Sequence, residues 1–419
     1  MKRVSALLLT CTLGLSALSG CSASAAPQPL SAQPVTISEE EMMRYDLETP
    51  AVWSALSEFG LDLLKTARQE GEGTLLSPLS AALALSMAAN GADGETLDQF
   101  REVLGDGASL EALNVSCSAL MKLYGGLGGS TECSIANSLW TDPEGMIRED
   151  FIGKCQGIFD AQVFSQDLSA PSVVPAVNSW GSDHTDKMIP RILSEPFNEN
   201  AALLLVNALY LKNTWETEFD PNNTYLRGFY HQGSVKESMD FLNAGFVTFP
   251  YLQSETAQGA VLPYDDGRLA FFALMPEEGA EFEVWLNSLD GETFPQLLES
   301  RRDTEFRTLA LPKFEAEWSG QLQDILSALG LDLAFTWGEA DFSLLGDNPN
   351  GYFLSQVIHA AKIKVNEQGT EAAAATVVEA ASGSAAPPET GLTLIFDHPF
   401  LYGIVDLETG VPLFLGTFE

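Results

Sequence analysis

The chain has 419 residues, 45% hydrophobic and 19% charged, enough to bury a large core and too apolar for general disorder. A formal net charge of −37 argues against nucleic-acid binding, which needs Lys and Arg to displace condensed counterions. The same charge suits a soluble extracellular surface and attracts cationic partners at long range.

The chain opens with the basic "MKR" and the apolar run "VSALLLTCTLGLSALSG", the pattern of a secretory signal over residues 1–20. Leu18-Ser19-Gly20-Cys21 resembles the lipobox of bacterial lipoproteins. The resemblance implies cleavage before Cys21 and a lipid on its thiol, hence an extracytoplasmic, membrane-anchored protein. An ordinary signal cut near Ala23–Ala26, with free secretion, is the alternative. Residues 21–44 are rich in Ser, Ala, Pro and Gln and read as a flexible tether. Residues 45–419 read as one unit without an internal repeat.

Helical spacing of Trp53, Leu56, Phe59, Leu63 and Leu64 predicts a helix in "AVWSALSEFGLDLLKTARQ". Ser77-Pro78 supplies a cap and first-turn proline to an alanine-rich helix ended by Asn90-Gly91. Another helix starts near Asp93 to Thr96 and closes at Gly105. Strand character follows in "SIANSLWT", "ALLLVNALYLK", "GFVTFPYL", "GAVLPY", "LAFFALMPE" and "FRTLALPKFEAEW". "LLLVNALYL" is apolar almost throughout, as a central strand covered on both faces must be. "SGQLQDILSALG" is a helix with a glycine stop, and "LETG" is the turn of a C-terminal hairpin. Helices mostly early and strands mostly late predict an α+β fold.

Catalytic signals are absent. His184, His231, His359 and His398 sit in no HExxH, and there is no GxSxG elbow or phosphate-binding glycine loop. A Ser-His-Asp arrangement is spatial and stays open. Cys117, Cys133 and Cys155, the cysteines beyond Cys21, have no CxxC spacing, so free thiols are expected, with no metal site or cofactor.

Residues 366–391, "NEQGTEAAAATVVEAASGSAAPPETG", are nearly all small. With a period of two, Glu367, Gly369, Glu371, Ala373, Ala375, Val377 and Glu379 fall on one parity. Thr370, Ala372, Ala374, Thr376, Val378 and Ala380 form the uncharged other. As a strand, the segment would turn its glutamates outward and its small uncharged set into a packed interior. A helix or a plain linker competes with that reading.

Glu367 to Thr376 resembles the hinge of an inhibitory serpin's reactive loop, with Ala372, Ala373, Ala374 and Ala375 after Glu371 as its small-residue run. "VNSWGSDHTDKMIPRIL", "LLLVNALYLKNTWETEFDPNNT", "LPKFEAEWSGQLQDILSALGLDLAFTWGEADFS" and "DHPFLYGIVDLETGVPLFLGTF" are similar to serpin segments in the same order. The resemblance implies three β-sheets, roughly eight or nine helices and an exposed reactive loop at about 366–391. It implies a monomeric suicide substrate of serine proteases, not an enzyme. The protease cuts the loop and forms a covalent acyl-enzyme, and the freed hinge inserts into the main sheet before water releases the ester. By resemblance, Trp215 stands where insertion begins, Ser77 and Pro78 lie beneath the sheet, and Asn207 and His359 form a polar pair near its opening region.

The family's spacing from Gly369 puts the cut bond between Gly383 and Ser384. The chain is longer than common relatives before "DHPF", so Ala381 and Ser382 are also candidates. These side chains suit an elastase-like pocket or a permissive subtilisin-like one. Alternatives are a serpin fold used as carrier or chaperone, a surface lipoprotein with a binding function, and a hydrolase.

Overall fold

The structure, a computed structural model, describes residues 27–198, 201–231, 236–370 and 391–419. The chain begins with β1 (Pro29–Leu30), α1 (Glu39–Tyr45), α2 (Thr49–Ala67), β2 (Thr74–Leu76), α3 (Pro78–Ala89), α4 (Gly94–Gly105) and α5 (Leu110–Tyr124). Then come β3 (Glu132–Thr141), β4 (Met146–Ile147), α6 (Glu149–Phe159), β5 (Gln162–Ser165), α7 (Val173–His184) and the long β6 (Leu203–Thr214). A strand-rich stretch follows: β7 (Tyr225–Tyr230), β8 (Lys236–Ala244), β9 (Val247–Gln253), β10 (Ala257–Pro263) and β11 (Leu269–Pro276). After α8 (Phe282–Ser288) and α9 (Thr293–Glu299) lie β12 (Arg302–Pro312), β13 (Phe314–Gln321), α10 (Gln323–Ala328) and β14 (Gly346–Asp347). The end comprises β15 (Leu354–Val365), β16 (Gly369–Thr370), β17 (Leu392–Ile395), β18 (Phe400–Asp406) and β19 (Pro412–Phe418).

The strands form a seven-stranded main sheet ordered β1-β5-β3-β6-β16-β15-β13, a ten-stranded sheet, and a pair of β14 with β4. The α+β architecture with three sheets is as expected. Ten α-helices are present among the described residues, a higher count than expected, because short α1, α8 and α9 add single or double turns.

β6 is central and buried on both faces. Its odd residues Leu203, Leu205, Leu209 and Leu211 enter the main core, while Leu204, Val206 and Ala208 enter a second cluster with Val177 and Trp180 of α7. That two-sided burial explains the unbroken apolar run. α3 is buried at all twelve positions behind the sheet, which is why its sequence is apolar all round. Ser77 precedes it in extended conformation but does not cap it, since its hydroxyl donates to the Leu413 carbonyl. The single run "FRTLALPKFEAEW" is two strands, divided at Lys313 and belonging to different sheets.

The tether expected over residues 21–44 is instead docked from Pro27 onward, where the described residues begin. β1 pairs antiparallel with β5, Ala32 N–H donates to the Gln156 side chain, and Val35 N–H donates to the Gly153 carbonyl at 2.8 Å. This strap crosses α6 through a notch made by two glycines: a Cβ on Gly153 would fall on the Gln33 carbonyl, and one on Gly157 on the Val35 carbonyl. Ser38 and Glu41 then start α1 with a reciprocal capping box. Composition suggested flexibility; the glycine notch supplies the docking surface. Gly157→Ala should therefore lift the strap, lowering stability by about 1–3 kcal/mol. Thermal melts, together with faster proteolytic nicking at residues 27–37, check this.

Candidate functional site: the mouth of the main sheet

β6 and β15 pair in parallel from Leu203↔Leu354 to Asn207↔His359 and Ala208↔Ala360. Beyond that point they diverge, and β16 occupies the mouth. Gly369 pairs with Thr214 and Thr370 with Asn213 on one side, while Thr370 pairs with Val365 on the other. Gly369 passes so close to β6 that a Cβ there would strike the Asn213 carbonyl, so glycine is required. Thr370, first of the uncharged parity set, is 1% exposed and its hydroxyl meets the Tyr264 hydroxyl in a short hydrogen bond. Burial pushes the Tyr264 phenol far up, so that bond is between neutral groups.

Trp215 closes the mouth. Its backbone N–H donates to the Gln368 carbonyl and its indole N–H to the Asn366 carbonyl, both at 2.9 Å. The ring stacks on Tyr264 at 4.8 Å. Asn366 tightens the turn before the strand by accepting from the N–H groups of Gln368 and Gly369.

Glu367 departs from the outward orientation expected of its parity. It lies in the turn before β16, outside the strand alternation, and is buried at 6% exposure. Both its oxygens accept from Lys313 Nζ, at 3.0 and 2.8 Å, and one also from the Thr224 hydroxyl at 2.8 Å. Burial opposes its ionisation, but the bonds from Lys313 and Thr224 overcome this and hold its carboxyl below the usual range.

Deeper in the sheet a polar chain links β3, β6, β15 and α3. Asn207 Nδ2 donates to Asn137 Oδ1 at 2.7 Å, and Ser80 donates to Asn207 Oδ1 in a short bond. His359, beside Asn207 across the strand pair, accepts from the Ser77 backbone N–H at Nε2, 3.0 Å away. The ring proton is thus on Nδ1. Full burial lowers the His359 pKa to about 3, so the ring is neutral. Pro78 fills the space against Gly60 on α2.

Glu371 to Thr376, Ala381, Ser382, Gly383, Ser384 and Cys21 lie outside the described residues. Of the expected hinge, Glu367, Gly369 and Thr370 are brought together with Trp215; Asn207, His359, Ser77 and Pro78 meet farther down the same strands. Sequence reading missed Lys313, Thr224, Tyr264, Asn137 and Ser80. Asn137 alone carried a local signal, as a polar residue inside the apolar run "SIANSLW". The remaining histidines have other partners: His184 faces the Trp180 carbonyl, His231 Glu237, and His398 Asp397. Cys117, Cys133 and Cys155 are free, and burial raises all three thiol pKa values.

A family model described as "Serpin (serine protease inhibitor)" matches residues 54–419. The chain belongs to the serpin family. It is 31% identical over 373 residues to intracellular coagulation inhibitor 2 of Tachypleus tridentatus, covering 87% of this chain and 90% of that one. Serpin-Z1C of Triticum aestivum is 32% identical over 364 residues, covering 83% and 90%. Among solved structures, the thermophilic serpin tengpin in its native state superposes with a TM-score of 0.81 at 30% identity, covering 93% and 97%. Thyroxine-binding globulin in complex with thyroxine shares the serpin fold at a TM-score of 0.77 and 23% identity, covering 87% of this chain and 98% of that one. The family is one of protease inhibitors that act through covalent complexes with serine proteases.

Two tests follow from the mouth of this serpin's sheet. Glu367→Gln leaves Lys313 uncompensated; because Lys313 is partly exposed, the cost should be only about 1 kcal/mol. It should nonetheless speed amide exchange at Trp215 and Phe219, whose N–H groups bond the hinge carbonyls. Exchange rates equal to those of the parent would show that the ion pair does not hold the hinge. Stability should also fall with acid. The unfolded His359 takes up a proton below its ordinary value near 6.5 while the folded ring resists down to about 3, so stability is full above that window and declines through it. Glu367, with its folded value lowered, adds to the loss at the acid end. Denaturant melts between about pH 7 and about pH 3 check the slope, which should flatten in His359→Gln.

Proposed function

We propose that this serpin is an irreversible suicide-substrate inhibitor of serine proteases with elastase-like or subtilisin-like specificity, held at the cell surface through lipid on Cys21. The carrying observation is the hinge itself: Gly369 and Thr370 are already paired into the mouth between β6 and β15. Strand addition there needs no new register. Continuing the alternation from Thr370 would send Ala372, Ala374 and Thr376 inward, side chains small enough to enter a close-packed sheet. Cleavage near Gly383–Ser384 frees the strand; insertion adds backbone hydrogen bonds and buries surface, and it competes with hydrolysis of the acyl-enzyme.

Trp215 and its bonds to Asn366 and Gln368 would be the first contacts to re-form around the entering strand. Asn207, His359 and Ser77 would be the polar contacts that shift as the strands part, with Pro78 anchoring α3 below. Specificity follows from what the bait holds. No Arg or Lys and no aromatic residue occurs from Asn366 to Gly391, so trypsin-like and chymotrypsin-like pockets find no anchor. The net charge of −37 favours cationic proteases, whose association should slow as salt rises.

Mixing the purified protein with pancreatic elastase, subtilisin and trypsin should give an SDS-stable complex with one or both of the first two and none with trypsin. A complex with trypsin alone would overturn the specificity. Thr370→Arg should turn the inhibitor into a substrate, because a long cation must replace a hydroxyl buried against Tyr264. A carrier would be unaffected by the same change, and a binding lipoprotein in which the segment is a mere linker would show no rise in melting temperature when it is cut.

A further inference from the structure

The main sheet has a second end. β6 runs from Leu203 to Thr214, so the base of the sheet lies about 36 Å from the mouth. Loops converge there: 142–144 after β3, 167–169 after β5, 198–202 before β6 and 348–353 before β15, with Trp337 beside them. They enclose a cleft of about 400 Å³, within the range of small-molecule sites. Trp337 is 69% exposed, while the other six tryptophans of the chain are buried or half-buried. Its backbone is held firmly. A 3-10 turn, Leu333–Phe335, precedes it, and the N–H groups of Glu339 and Ala340 both donate to the Thr336 carbonyl across it. Gly338, at φ +81, turns the chain directly after the ring. The fold thus keeps an indole in water on a fixed turn, against the hydrophobic effect. The polar walls are oriented in a similar way. Asp142 Oδ1 accepts from the Glu144 N–H at 2.9 Å, Asp167 Oδ1 from the Ser169 N–H at 2.9 Å, and Asn348 Oδ1 from the Asn350 N–H at 2.9 Å. The other oxygen of Asp142 and the side-chain N–H groups of Asn348 have no hydrogen-bond partner among the described residues. No Lys, Arg or His lines the cleft; Arg148, four residues beyond Glu144, lies 3.7 Å from Asp347.

We propose that this cleft binds a saccharide free of acidic groups, with one face of a sugar ring laid on the Trp337 indole. A sugar ring presents C–H groups on its flat faces and hydroxyls around its edge. The face packs on an indole, and each hydroxyl both donates and accepts. Asp142 supplies the carboxylate oxygen that takes a hydroxyl proton, and Asn348 the amide N–H groups that a hydroxyl oxygen accepts. An amine would satisfy the carboxylates and stack on the ring, but it offers the Asn348 amide no acceptor. A phosphate, sulfate or acidic sugar would meet Asp142, Glu144 and Asp167 with no lining cation to offset them. The cleft and the hinge stand at opposite ends of β6, so an occupied cleft leaves the mouth uncovered. The added function is retention on a glycan-bearing surface, and it does not rest on the inhibitor reading.

The test exposes the full chain, in EDTA so that no metal bridges, to three sets of probes. These are neutral oligosaccharides ending in galactose, mannose or an N-acetylhexosamine, their sialylated and sulfated counterparts, and spermidine. Equilibrium binding and melting temperature are read for the parent, Trp337→Ala and Asn348→Asp, with indole fluorescence for the parent. Asn348→Asp keeps an oxygen for the Asn350 N–H and exchanges only the amide donors for a charge, so it should melt with the parent. Trp337→Ala removes an exposed ring and should do the same. The expected result is a neutral sugar that binds the parent with a fluorescence change, and about tenfold or more weaker binding in both variants. No neutral sugar bound at about 1 mM, or equal binding by Trp337→Ala, would overturn the proposal. Preference for the sialylated or sulfated probes would overturn it too. So would spermidine binding that Asn348→Asp strengthens, since that describes a cation site. Binding is read without protease, so a parent that traps no protease would bring down the inhibitor reading and leave this result standing.

Discussion

The structure turns on the divergence of β6 and β15. Two central strands that pair along half their length and then part leave backbone groups that must find partners, because unpaired buried amides are costly. A two-residue strand, Gly369-Thr370, fills the opening, and only a glycine can come that close to the Asn213 carbonyl. The ladder is thus complete at the mouth through β16, and farther down through the direct pairing of β6 with β15.

What keeps the mouth in its present state is polar rather than apolar. Glu367 is bonded by Lys313 and Thr224, and Trp215 binds the hinge carbonyls through both its backbone and its indole. Below it, Asn137, Asn207, Ser80, Ser77 and His359 tie three strands to α3. Directional bonds of this kind fix one geometry strongly and are exchanged rather than gradually stretched when the elements slide, whereas an interdigitated apolar contact resists sliding throughout.

Much of the fold was legible because its signals are local. The helix at Thr49–Ala67, the stop at Asn90, the central character of β6 and the C-terminal hairpin all follow from periodicity and turn residues. The N-terminal strap was not legible. Its Pro and Ser content matches a linker, and the glycine notch that receives it lies more than a hundred residues away on α6. Lys313 was likewise hidden inside what reads as one continuous strand. Its role as the partner of Glu367 depends on the chain changing sheets at that residue.

The sequence by itself determined the chemistry of residues 366–391: mostly small residues, charges confined to one parity up to Glu379, no basic or aromatic side chain, and glycine at 369. These are properties of single positions and their immediate spacing, and spacing of two along an extended chain needs no partner to be read. Only the tertiary structure decided that Glu367 is an internal latch and not a solvated charge, and that His359 is a neutral acceptor beneath the sheet. Each depends on which strand lies next to which, and residues that meet across a sheet from distant parts of the chain leave no pattern in either segment alone.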